Sequence, residues 1–139
     1  MIAFRNLVLA TAISASYALL SSHDAKAFDL TGAWATSSEQ CTKVFVRKGR
    51  ANNMTFTNFS GVYGRGFIVE ADRLRGKFEN CKIKSRNESN RTVNLVAACA
   101  SGIMLSNVQF FLKVMDDNTV SREFPGIEGV DVKYHRCQI

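Results

Sequence analysis

The 139-residue sequence predicts an all-β domain: an antiparallel meander forming a closed or nearly closed barrel of about eight strands, with two disulfides. Three observations carry this expectation. Short segments alternate apolar and polar residues, as half-buried strands do. Turn-forming clusters recur at a spacing of roughly 8 to 12 residues, the rhythm of sandwiches and barrels. No window holds an apolar stripe of helical period long enough to predict a helix, although Ala97 to Leu105 could hide a short helical turn.

Met1 to Ala27 reads as a secretory signal peptide. Arg5 supplies the basic start, Leu7 to Leu20 is a 14-residue apolar and small run, and Ala25-Lys26-Ala27 has the small-x-small pattern that precedes cleavage. The run is shorter than the roughly 20 residues a membrane span needs, so no transmembrane segment is expected. The expected mature domain is therefore 28–139, which is 112 of the 139 residues. Losing Arg5, Lys26 and Asp24 lowers the formal charge from +6 to +5, and His135 becomes the last histidine. A periplasmic or secreted location follows, and a monomer is expected.

Within the mature chain, alternation marks Val44-Phe45-Val46, Met54 to Thr57, Phe67-Ile68-Val69, Cys81-Lys82-Ile83, Val93-Asn94-Leu95 and Val132-Lys133-Tyr134 as strands. Gly49 to Asn53, Gly61 to Gly66, Asp72-Arg73, Asn87 to Asn90, Asp116 to Asn118 and Pro125 to Gly129 supply the turns between them. With no long crossovers a meander is the simplest path, and closing it removes exposed strand edges.

All four cysteines fall in the mature chain, and an even count in a small exported domain reads as two disulfides. Strand phase narrows the three formal pairings. Cys81 shares a face with Ile83, and Cys99 shares one with Ala97. A hairpin through Asn87 to Arg91 brings Cys81 opposite or diagonal to Cys99. Cys41 is then left to meet Cys137, a bond expected to tie the first strand to the last.

Leu30-Thr31-Gly32-Ala33-Trp34 contains a G-x-W and opens the mature domain. This resembles the start of the calycin barrels, which include lipocalins, fatty-acid-binding proteins and bacterial metalloprotease inhibitors. The resemblance implies that Trp34 plugs one barrel end with an arginine from a late strand across its ring. Arg136 is the expected partner, with Arg122 the other candidate. In the metalloprotease inhibitors a cysteine follows the G-x-W closely, as Cys41 follows Trp34. An extended segment before the barrel blocks the protease there, whereas only Phe28 to Thr31 precedes Gly32 here.

Catalytic chemistry is not expected. His135 lacks a nucleophile motif, and no phosphate loop, H-E-x-x-H or EF-hand pattern is present. The carboxylates Glu70, Asp72, Glu123 and Asp131 are interleaved with arginines, which suits surface pairing better than glycosidase work. With no C-x-x-C pair and one mature histidine, neither a metal nor a cofactor is expected.

Charge is the sharp feature. Lys43 to Arg91 holds twelve basic and four acidic residues, whereas 92–139 holds four and five. In a meander this gradient becomes a basic side that concentrates anionic partners. The expected binding residues are Tyr63, Arg65, Arg73, Arg75, Lys82 and Lys84, and the expected partner is an anionic small ligand, a lipid headgroup or an acidic protein. Nucleic acid is set aside, because the leader directs the chain elsewhere and alternation puts Phe56 and Phe67 in the core. Two readings follow. One is a non-enzymatic carrier with Val69, Leu95, Phe110, Leu112 and Val132 lining its interior. The other is an inhibitor or protein-binding module aimed at a secreted or host hydrolase, with Gly61 to Gly66 as its contact loop.

Overall fold

A computed structural model describes residues 26–139, so the leader's Arg5 and its Leu7 to Leu20 run lie outside the described residues. Among the described residues ten strands form: β1 (Gly32–Ala35), β2 (Phe45–Lys48), β3 (Asn53–Phe56), β4 (Gly66–Glu70), β5 (Arg73–Arg75), β6 (Asn80–Ser89), β7 (Thr92–Ser101), β8 (Met104–Asp116), β9 (Thr119–Glu123) and β10 (Asp131–Cys137). Eight of them close an antiparallel barrel in the order β1-β10-β9-β8-β7-β6-β5-β4. The expected all-β closed barrel is the observed one.

Alternation explains the walls. In β7, Val93, Leu95, Ala97 and Cys99 point inward and are buried, while the residues between them are half-buried. The β6–β7 hairpin turns on Asn90 and Arg91, both at positive φ (48° and 61°), the conformation of a type I′ turn that matches strand twist. In this register Cys81 lies directly opposite Cys99, and the two are bonded.

The interior is filled with side chains. Trp34, Phe67, Leu74, Leu95, Leu112 and Val120 meet in one cluster, each at most 9% exposed. A ligand-sized hollow would leave its lining open to a water-sized probe, so these values describe packing, not a chamber. Of the expected lining, Val69, Leu95, Phe110 and Leu112 are buried in that cluster and Val132 packs against it.

Three expectations need correction. First, the meander is interrupted. β2 and β3 form a separate two-stranded sheet between β1 and β4, outside the barrel. Alternation reports that a segment has one buried face, not which body buries it. Here the burying body is the barrel's outer wall. Ala33, Ala35 and Ile68 face outward and are covered by Val44, Phe45 and Met54, with Phe56 half-buried beside them. Second, Ala97 to Leu105 is not helical. It is strand and turn, because pairing with both β6 and β8 overrides alanine's helical preference. Helical turns occur elsewhere, as α1 (Cys41–Val44) and α2 (Ser60–Tyr63), too short to show periodicity. Third, Cys41 does bond Cys137, but it lies on α1, beyond the first strand. Closure is made by β1 pairing with both β10 and β4. The disulfide clamps the α1–β3 excursion to the last strand.

Gly66 permits that excursion to dock. A methyl there would lie 2.5 Å from the Trp34 carbonyl oxygen and 2.6 Å from the Phe45 ring. Gly66→Ala is therefore expected to lower stability by about 1–3 kcal/mol, as overpacking does. Gly61→Ala, with open space around it and no positive φ, is expected to leave the thermal midpoint near that of the wild type. Paired thermal melts check this; equal midpoints would refute the close packing of Phe45 on β4.

Candidate functional site

One end of the barrel is shut by the chain's own polar groups. Trp34 is fully buried and its indole N–H donates to the Leu30 carbonyl at 2.9 Å. The Arg136 guanidinium lies 4.3 Å above the indole ring. It also donates to the carbonyls of Thr31 and Asp29, both at 2.6 Å, and to that of Asp117 at 3.2 Å. A cation on an aromatic face keeps its charge satisfied only if its N–H groups are also met, and here backbone oxygens meet them. Arg122 takes a different place: it lies over Phe110 at 4.4 Å and Phe124 at 4.9 Å, towards the opposite end.

The segment Phe28–Thr31 completes the closure. The Phe28 N–H donates to Glu88 at 3.1 Å, and Arg86 donates to both the Phe28 carbonyl and Glu88. Alternation from Cys81 places Arg86 on the outer face, with Lys82 and Lys84. A bulge between Ile83 and Ser85 reverses the phase, and Arg86 then lies opposite inward-facing Leu95. Nothing in the local sequence announces that bulge, so Arg86 and Glu88 were not candidates. The Asp29 carboxyl is held below its ordinary value of 3.8, first by the Thr31 amide, next by the Thr31 side chain and more weakly by Arg136 and Arg86, against some desolvation. Its contribution is present above that ordinary value and is lost as pH falls through the lowered one.

The expected binding residues divide into three places. Arg73 and Lys82 are exposed on the outer wall and lie directly opposite each other on β5 and β6, with Lys84 beside them at the bulge. Arg75 is already engaged, donating to Glu70 at 2.9 Å and to the Met54 carbonyl at 2.8 Å. Tyr63 and Arg65 belong to the excursion, where Lys43 sits 5.0 Å over the Tyr63 ring. The expected contact loop Gly61 to Gly66 thus comprises most of the α2 turn, the Gly64-Arg65 link and the first residue of β4.

Between the β2–β3 hairpin and this wall opens a cleft of about 600 Å³, lined by Lys48, Asn53, Glu70, Arg73 and Arg75. Lys48 joins the basic group only through this packing, and sequence reading missed it. Among the described residues the ion pairs are Arg75–Glu70 and Arg86–Glu88, so neither Arg73, Lys82, Lys84 nor Lys48 has a carboxylate partner there. Like charges directly opposite on a sheet disfavour the fold slightly. Such a wall carries net positive charge and attracts anions with the modest strength of solvent-exposed cations. A wider cleft, about 840 Å³, lies at the Trp34 end, but Lys26 and Ala27 of the expected leader form part of it.

No protein-family model, curated protein or solved structure matches this chain.

Because Trp34 is the sole tryptophan, its emission reports on the closed end. Arg136→Leu strands three carbonyls and is expected to cost about 2–3 kcal/mol, with a red-shifted native emission. Arg136→Lys keeps the charge but not the planar fork and is expected to recover part of that loss. Denaturant titration followed by fluorescence measures both.

Proposed function

We propose that this chain is an exported, non-enzymatic barrel that holds an anionic or amphipathic partner against its outer basic wall. The observation that carries the reading is the unpaired Arg73–Lys82 cross-strand pair, extended by Lys84 and by Lys48 across the cleft. Glu70 stands opposite Arg73 on β4 but is bonded to Arg75, so a ligand that neutralises Arg73 and Lys82 relieves the repulsion left between them. The packed interior moves the carrier reading from the barrel's inside to its surface. Two disulfides support an oxidising compartment outside the cytoplasm. No helix among the described residues is long and apolar enough to cross a membrane. The buried Trp34 beneath Arg136 supports a calycin-type assignment for the barrel.

The inhibitor reading has one observation in its favour. Val62 and Tyr63 are exposed on a turn that a disulfide-clamped excursion holds rigid, which suits a contact epitope. Against the blocking mode of the metalloprotease inhibitors, Phe28 is bound down to Arg86 and Glu88.

Binding to a soluble sulfated polysaccharide provides the test. Wild type is expected to bind with affinity that falls steeply as salt rises, and Arg73→Glu/Lys82→Glu to bind at least about tenfold more weakly. An unchanged affinity in the double variant removes the wall as the site. A stoichiometric apolar molecule recovered by solvent extraction and mass spectrometry would return the carrier reading to the interior.

A further inference from the structure

Strand direction divides the barrel's connections into two sets. The turns Ala71-Asp72, Asn90-Arg91 and Asp117-Asn118 emerge at the end closed by Trp34, and they carry no large apolar residue. The α1–α2 excursion, the β5–β6 turn, the β7–β8 turn and the β9–β10 loop emerge at the other end. There Phe59, Val62, Phe78, Ile103, Met104 and Leu105 are 71–102% exposed. Single exposed apolar residues are ordinary, but six gathered from three neighbouring connections at one end are not.

The β7–β8 hairpin is the centre of this rim. From Thr92 to Leu112 it holds 21 consecutive residues without a charge. Pairing of β8 with β9 begins only at Phe111, so the hairpin end projects past β9, with Gly102 at φ 58° turning its tip. The flanking charge is basic. Lys77 on the β5–β6 turn bonds the Asn58 carbonyl at 2.7 Å, joining that turn to the excursion beside Phe59. Lys43, 5.0 Å over the Tyr63 ring, and Arg65, just before β4, belong to the same excursion, with Glu39 as its acid, and Glu79 lies on the β5–β6 turn. Glu123, Glu128 and Asp131 are confined to the β9–β10 quadrant.

We propose that this rim docks on an anionic lipid bilayer, with the β7–β8 tip and Phe78 entering the headgroup boundary and the lysines meeting lipid phosphates. Separate projecting apolar tips suit a fluid partner that needs no matching shape, and a basic flank suits its anionic surface. A second copy would set these cations against one another. The inference deepens the reading of an anionic partner by naming it as a membrane surface, and it uses a different part of the molecule from the Arg73–Lys82 wall.

The test is flotation of protein recovered from an exporting host with two kinds of vesicle, phosphatidylcholine alone and phosphatidylcholine mixed with phosphatidylglycerol. Wild type is expected to float with the anionic vesicles and about tenfold less with the neutral ones. Ile103→Ser/Leu105→Ser is expected to lose most of that binding while keeping its thermal midpoint and its affinity for sulfated polysaccharide. Ile103→Trp is expected to blue-shift its emission on anionic vesicles. No flotation at low salt, or flotation unchanged in the double serine variant, overturns the membrane rim. A wild-type mass in solution that doubles, and that the serine variant returns to one copy, overturns it in favour of self-pairing. Retained polysaccharide binding in any of these cases leaves the basic wall standing, so the two readings fail separately.

Discussion

The fold hangs on four residues paired along both edges. β1 is only Gly32–Ala35, yet it pairs with β10 on one side and β4 on the other, and without it the sheet would open at two edges. Its two faces do different work. Inward, Trp34 fills the end of the barrel beneath Arg136 and stacks beside Phe67 at 6.3 Å. Outward, Ala33 and Ala35 are small enough for Phe45 and Val44 to pack on the wall. Closure, the end plug and the docking of the excursion thus share one short strand.

That arrangement separates the molecule's surfaces by chemistry. The Trp34 end spends its charged groups internally: Arg136 on backbone carbonyls, Arg86 and Glu88 on each other and on Phe28. The lateral wall keeps Arg73, Lys82 and Lys84 without carboxylate partners among the described residues. The far rim exposes apolar tips. An interior packed with Leu95, Leu112, Phe67 and Tyr134 makes the barrel a rigid support, so recognition falls to its outside.

Much of this is legible in the sequence. Period-two alternation marks Val93-Asn94-Leu95 as strand, and the shared face of Ala97 and Cys99 sets the strand phase that pairs Cys81 with Cys99. The G-x-W resemblance pointed to Arg136, whose position over Trp34 depends on β10 lying beside β1. The excursion was not legible, since β2 and β3 alternate like barrel strands whichever surface covers them. Nor were Arg86 and Glu88, because a bulge leaves no mark in residue type. The basic segment was visible as a count. Which cations would be spent, as Arg75 is on Glu70 and Met54, and which would remain free depended on partners distant in sequence.

By itself the sequence determined the strand class, the alternating faces of β4, β7, β10 and the start of β6, the disulfide pairs and the sign of the charge. These follow from local periodicity, residue chemistry and spacing, which do not need distant neighbours to be read. Tertiary structure alone decided that the interior is filled, that one hairpin leaves the barrel to cover its wall, and that the six most exposed apolar residues collect at a single end. Each of those depends on which strands become neighbours and on the direction in which each runs. Closure through β1 sets both at once.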